Sequence, residues 1–241
     1  MAAVVLRKTT LLDYPGKVAA ALFFPGCNLR CPWCHNRELI RGDAAGELSP
    51  EEALGHLEKR RAVLGGVVLS GGEPTLYRGL AGLIRRIHGL GLPVKLDTNG
   101  MDSGALEALL RDRETRPDYI ALDLKAAPER YGSLLPSPAA AGEAASIRAR
   151  GELERSAALI RQSGIEREFR TVVLPGSFLG PADIAGLAPL ADDSPWYFRP
   201  FRPGNCLDPA WDRLEAPRRE EVEALAETAR SLGKRGMVPG V

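Results

Sequence analysis

Residues 18–34 read Val18-Ala19-Ala20-Ala21-Leu22-Phe23-Phe24-Pro25-Gly26-Cys27-Asn28-Leu29-Arg30-Cys31-Pro32-Trp33-Cys34. The unbroken apolar run 18–24, stopped by Pro25-Gly26, predicts a strand buried on both faces. The loop that follows it, residues 25–36, carries thiols in a Cys-x3-Cys-x2-Cys spacing. Three is an informative number, because a closed zinc site or an ordinary iron–sulfur cluster takes four protein ligands. A fourth thiol, Cys206, lies far along the chain in a Pro/Gly-rich segment and reads as a small residue of a surface loop. If Cys27, Cys31 and Cys34 hold a four-iron cluster, one iron is left for a substrate or cofactor, as in an open catalytic metal site. The competing readings are three unrelated thiols, or a zinc knuckle completed by His35. His35 directly follows Cys34 and is poorly placed to share its metal.

Working outward, short apolar runs alternate with longer amphipathic ones. Strands are expected at 18–24, 66–70, 94–97, 118–122, 168–174 and 196–198. Helices are expected at 50–64, opened by Ser49-Pro50-Glu51-Glu52, and at 77–90, 103–113, 147–163, 181–190 and 215–232. The Ala/Ser/Pro-rich stretch 126–145 reads as a long loop or partial helix, and as the mobile part of the chain. Six βα units in one domain over residues 1–241 mean a parallel sheet with right-handed crossovers. The sheet is either open and doubly wound or a curved partial barrel, and both place function at the C-terminal strand ends.

The unusual polar groups fall at those ends. They are the cysteine loop, Gly71-Gly72-Glu73-Pro74, Asp97-Thr98-Asn99-Gly100, Asp123-Leu124-Lys125, Arg170 inside its strand, and Arg199 and Arg202 after the sixth. Glycines after a strand let backbone approach a ligand closely, and Glu73 suits a cationic amine. A buried arginine such as Arg170 needs an anionic partner, which a cofactor carboxylate or the neighbourhood of Glu168 would supply; the alternative is an arginine that reaches a surface. His56 and His88 read as surface residues of helices. A formal net charge of +1 implies no long-range field and no nucleic-acid partner. No apolar run approaches the roughly 18 residues that span a bilayer, and the N-terminus lacks the layout of a secretory leader. A cytoplasmic protein is expected, in which thiols read as metal ligands or catalysts.

Cys27-Asn28-Leu29-Arg30-Cys31-Pro32-Trp33-Cys34-His35-Asn36 resembles the signature of the radical S-adenosylmethionine (SAM) superfamily. That resemblance implies a partial (βα)6 barrel. It also implies a [4Fe–4S] cluster on Cys27, Cys31 and Cys34, and S-adenosylmethionine on the open iron. Trp33 and His35 would then flank the cofactor. Gly71, Gly72 and Glu73 would orient its amine, and Asp123, Lys125 and Arg170 its carboxylate and ribose, with Asp97 and Asn99 close by. The Asp-Thr-Asn-Gly and Asp-Leu-Lys segments are similar to those of glycyl-radical-enzyme activating proteins. From that likeness Asp97, Thr98, the Ala121 carbonyl and Asp123 would form a monovalent-cation site, hard oxygens suiting a hard ion. Arg202 would make a ribose or adenine contact where related activases carry a histidine. Residues 9–17, 95–100 and 201–204 resemble the subgroup acting on anaerobic ribonucleoside-triphosphate reductase. The implied reaction is reductive cleavage of the cofactor to a 5′-deoxyadenosyl radical, which takes a glycine Cα hydrogen from that partner. An electron donor such as flavodoxin or ferredoxin is implied with it. The rival readings are a 7-carboxy-7-deazaguanine synthase-like enzyme acting on a small molecule, and a non-enzymatic iron–sulfur electron carrier.

Overall fold

The computed structural model describes residues 4–136, 138–176 and 178–239. Its strands are β1 (Val4–Thr10), β2 (Ala19–Phe24), β3 (Glu47–Leu48), β4 (Gly66–Gly71), β5 (Val94–Thr98), β6 (Tyr119–Asp123), β7 (Glu166–Val173), β8 (Trp196–Pro200) and β9 (Gly236–Met237). The α-helices are α1 (Arg37–Arg41), α2 (Pro50–Arg60), α3 (Leu80–Gly89), α4 (Ser103–Arg111), α5 (Pro138–Gln162), α6 (Pro181–Leu187) and α7 (Arg219–Ser231). They form one sheet in the order β3-β1-β2-β4-β5-β6-β7-β8-β9. From β2 to β8 every neighbouring pair is parallel. This is a partial (βα)6 barrel, open between β3 and β9 because those strands end the sheet.

Strand alternation gives the sheet two unlike faces. Leu22, Leu69, Leu96, Ile120, Phe169 and Trp196 pack outward under the helices in the main core. The concave face carries Ala21, Val68 and Tyr119, and with them Lys95, Asp97, Glu168 and Arg170. The loop between β1 and β2 lays Tyr14 against Tyr119, ring centroids 5.9 Å apart, at the N-terminal ends of the parallel strands. That closes the end of the barrel away from the cysteines. The helices begin as expected: the Ser49 hydroxyl accepts from the Glu52 N–H, and the Glu52 carboxylate accepts from the Ser49 N–H.

The six predicted strands are present, and three more lie outside the prediction. β1 runs antiparallel to both β2 and β3. Its sequence is half polar and carries Arg7-Lys8-Thr9-Thr10, so its periodicity does not mark it. β3 and β9 have two residues each, too few to show a period. Of the two readings of 126–145, long loop or partial helix, the structure shows the helical one. Residues 128–134 form a 3-10 helix with Tyr131 and Leu134 buried, and α5 starts at Pro138 and breaks at Gly142. Residue 137 lies outside the described residues. Among the described residues no helix is long and apolar enough to cross a membrane.

Candidate active site at the C-terminal strand ends

One cavity of about 300 Å3 is lined by Cys27, Cys31 and Cys34 together with Trp33, His35, Gly71, Gly72, Glu73, Asp97, Thr98, Asn99, Asp123, Lys125 and Arg170. Segments distant in sequence thus converge on one rim. Arg202 does not join them: it is exposed and outside the cavity. The expected cofactor contact from Arg202 finds no support in this geometry: β8 ends at Pro200, Phe201 turns into the core, and Arg202 beside it faces solvent. Arg199 instead lines a smaller pocket of about 200 Å3, which shares Trp33, Asp123, Lys125, Arg170 and Val172 with the main cavity.

The cysteine loop is fixed from several sides. The Gly26 N–H donates to the Leu39 carbonyl (3.0 Å), the Arg30 N–H to Leu134 O (2.6 Å) and the Asn36 amide to Gly71 O (2.6 Å). The Leu207 and Asp208 N–H groups donate to Cys34 O and Pro32 O at 2.9 and 3.0 Å. Trp33 packs on Trp211, ring centroids 5.2 Å apart. Cys206 is fully buried beneath this seam with Leu174, Phe201 and Trp211, contrary to its reading as a surface residue. Burial together with the Asp212 carboxylate pushes its thiol up to about 12. Burial likewise pushes the Cys31 thiol up to about 12 in the metal-free chain.

Gly71 and Gly72 serve contact with this loop. Gly71 has φ +115°, and a Cβ on it would stand 2.4 Å from Phe24 N; one on Gly72 would stand 1.8 Å from Gly26 O. The Gly72 and Glu73 N–H groups donate to Phe24 O and Gly26 O at 2.8 and 2.9 Å. The glycines therefore do more than let backbone approach a ligand: they lock β4 onto the cysteine loop, and the Gly71 carbonyl accepts from the Asn36 amide.

Glu73 is also corrected in part. It is only 1% exposed, and its Oε1 accepts from Thr75 N, Thr75 Oγ1 and Thr98 Oγ1 at 3.2, 2.7 and 2.8 Å. Its Oε2 accepts from Asn99 N at 2.8 Å. The carboxylate joins two segments of the rim, its own turn and Thr98-Asn99, and burial raises its pKa despite those donors. Asn99 turns its amide to the cluster loop: Nδ2 donates to Asn28 Oδ1 (2.8 Å) and to Cys27 Sγ (3.6 Å). The Leu29 N–H donates to the same sulfur at 3.4 Å.

Beneath the rim runs a buried chain of ion pairs. Lys95 Nζ lies 2.5 Å from Asp97 Oδ1, and Arg170 Nη1 lies 3.0 Å from Asp97 Oδ2. Arg170 Nε lies 2.7 Å from Asp123 Oδ1, and Lys125 Nζ 3.0 Å from Asp123 Oδ2. Glu168 Oε1 stands 3.4 Å from Lys95, and Glu168 Oε2 accepts from Tyr119 OH at 3.0 Å. Burial alone would raise both aspartates, yet Arg170 with Lys95 holds Asp97, and Arg170 with Lys125 holds Asp123, below the usual carboxylate range. The Tyr131 hydroxyl accepts from Lys125 N at 2.8 Å and so seats that lysine from the 3-10 segment.

These pairs correct the expected monovalent-cation site. Every carboxylate oxygen of Asp97 and Asp123 already faces a protein cation, and Thr98 Oγ1 donates to Glu73. Ala121 lies within β6, between β5 and β7. Arg170 finds its anionic partners inside the chain. Lys95, Tyr131 and Asn28 were missed from sequence, whereas Glu168, expected near Arg170, stands 3.9 Å from it. Lys95 had a usable signal, since it sits two positions before Asp97 on the same strand face.

The donor set fits an iron–sulfur cluster with an attached amino acid. Among the described residues no three His, Cys, Asp or Glu side chains are arranged around a single ion. The three thiols nonetheless share one cavity, which suits a larger polynuclear group with soft sulfur ligands. N–H donors at Cys27 Sγ suit a sulfur that carries thiolate charge.

Comparison with known proteins agrees. Over 221 residues the chain is 28% identical to a Methanocaldococcus jannaschii protein described provisionally as a glycyl-radical enzyme activating enzyme, covering 91% of this chain and 88% of that one. It is 35% identical over 118 residues to a 7-carboxy-7-deazaguanine synthase of Hyperthermus butylicus, covering 48% of each. A radical SAM methyltransferase from Sphaerobacter thermophilus shares the fold, with TM-score 0.66 at 19% identity over 96% of this chain and 68% of that one. Residues 22–185, which include every element carrying the cavity's thiols and ion pairs, match the radical SAM superfamily, and the chain belongs to that family.

Proposed function

We propose that this radical SAM enzyme activates a glycyl radical enzyme by taking the Cα hydrogen of one of its glycines. We propose further that the partner is an anaerobic ribonucleoside-triphosphate reductase. The observation that carries the activase reading is the match to the M. jannaschii protein along nearly the whole of both chains. The match to the deazaguanine synthase stops at about half of each, so a small-molecule substrate is the second reading. The partner's identity rests on the sequence segments 9–17, 95–100 and 201–204.

When bound, the [4Fe–4S] cluster and S-adenosylmethionine supply one-electron cleavage of a sulfonium bond, the source of the radical that takes this hydrogen. Cys27, Cys31 and Cys34 hold the cluster. The carbonyls of the Gly71-Gly72 turn, with Glu73 behind them, receive the cofactor's amine. Lys125 and Arg170 present positive charge to its carboxylate while Asp123 keeps both in place. Trp33 and Val172 line both pockets and give them a shared apolar wall. A small redox protein such as flavodoxin or ferredoxin would deliver the electron.

The test is anaerobic reconstitution with S-adenosylmethionine, a reductant and the purified reductase. Expected are 5′-deoxyadenosine and the electron paramagnetic resonance doublet of a glycyl radical on the reductase. Deoxyadenosine without that doublet overturns the partner, and turnover of a small molecule by the same preparation overturns the activase reading.

A further inference from the structure

Lys95 is the least exposed cation of the barrel interior, at 1%. Its ammonium sits 2.5 Å from Asp97 Oδ1, 3.4 Å from Glu168 Oε1 and 5.7 Å from the Tyr119 ring centroid. Two anionic oxygens and an aromatic face are a cage for a small cation, and here the chain itself fills it. Lys95, Lys125 and Arg170 balance Asp97, Asp123 and Glu168, three charges against three. Remove the Lys95 charge and the buried group carries one excess negative charge. Arg170, now 3.0 Å from Asp97 and 3.9 Å from Glu168, is then drawn towards that deficit and away from the cavity.

We propose that the Lys95 ammonium is a tethered substitute for a free monovalent cation beside Asp97, so that the site works without such an ion and acquires a need for one when Lys95 is shortened. The sequence resemblance implied an ion bound by Asp97 and Asp123; the residues present do not fit one, because their oxygens are already paired with the chain's own cations. A lysine head group is compact and strongly charged, as a small inorganic cation is, and its stem supplies the ion at fixed stoichiometry. Lys95→Ala would leave a space bordered by Asp97, Glu168 and Tyr119 that a free cation can enter.

The test is equilibrium binding of S-adenosylmethionine to cluster-reconstituted protein without any partner, so its outcome is independent of which substrate the enzyme acts on. Binding is compared in tetramethylammonium, sodium, potassium and ammonium salts at equal ionic strength. Wild type is expected to bind within twofold in all four. Lys95→Ala is expected to bind at least tenfold more weakly in tetramethylammonium and to regain most of that loss in potassium or ammonium. Lys95→Met, which fills the space without charge, is expected to lose affinity and regain none. A merely structural lysine gives no cation-specific recovery. The proposal is overturned if wild type needs sodium or potassium, if Lys95→Ala binds as wild type does, or if its loss is equal in every salt. Should Lys95→Ala fail to fold, Lys95→Ser, which leaves the same space, is carried through the four salts, and cation-specific recovery or its absence decides.

Discussion

The Asn99 side-chain amide stands 3.6 Å from the Cys27 sulfur and 2.8 Å from Asn28 Oδ1, while its own backbone N–H is held by Glu73. One residue thus joins the third parallel strand, the Gly-Gly-Glu-Pro turn and a cluster thiol. An N–H aimed at a ligating sulfur stabilises the reduced, more negative cluster. Asn99→Asp keeps the acceptor that caps the Met101 N–H but replaces the donor with negative charge. Its cluster is expected to titrate at a lower potential in a potentiometric series, with iron content retained. Turnover on a weak reductant should fall about 10–100-fold, the usual cost of losing a partner to a metal ligand.

Gly72 admits no side chain. The Cβ of Gly72→Ala would overlap the Gly26 carbonyl at 1.8 Å, and that carbonyl cannot yield because the Glu73 N–H is bound to it. Melting of the metal-free variant should reveal a loss of about 3 kcal/mol, within the range for overpacking. Its iron content after reconstitution should drop with it. Wild-type melting and iron content would refute the idea that this turn locks the cysteine loop.

The four thiols should separate cleanly into two groups. Alanine at any one of Cys27, Cys31 or Cys34 is expected to abolish 5′-deoxyadenosine formation and the cluster's visible absorption. Cys206→Ala should keep both and lose about 1 kcal/mol of stability from its packed site. Loss of the cluster in Cys206→Ala would place that thiol among the ligands.

Acid should weaken the fold through the buried ion pairs. Asp97 has a folded-state pKa below its unfolded value of about 3.9. A depressed carboxylate contributes stability that is complete above the unfolded pKa and disappears as pH falls through the folded one. The unfolding free energy from urea titrations should therefore be steady near neutrality and fall below about pH 4, by about 1.4 kcal/mol for each unit of depression. Asp97→Asn should cost about 3 kcal/mol at pH 7 by leaving Lys95 and Arg170 underpaired. It should also show a flatter acid limb.

The six parallel strands and the shared rim were legible because each strand is a compact apolar run and each rim motif sits at its end. The three thiols were legible because spacing alone declares them. What sequence could not show was the partner of each polar group. Glu73 looks like a ligand for an amine, yet four donors from Thr75, Thr98 and Asn99 converge on it across the rim. Asp97 and Asp123 look like oxygen ligands, yet their charges are met by Lys95, Arg170 and Lys125. Those contacts depend on strand register, Leu96 opposite Ile120 and Asp123 opposite Arg170, which local patterning does not encode. The segment with Tyr131 reads as either loop or partial helix for a related reason: its alanine- and proline-rich composition does not show that its one tyrosine is buried and bonded to Lys125.

The bonds from Leu207 and Asp208 to the backbone of Cys34 and Pro32 have a consequence for biosynthesis. On a ribosome the thiols emerge well before the residues that supply these two bonds. Until those residues are made, bonds such as those to Leu39, Gly71 and Leu134 are left to shape the loop. A chain cut short before residue 207 is therefore expected to hold its cluster less securely than one that carries both bonds.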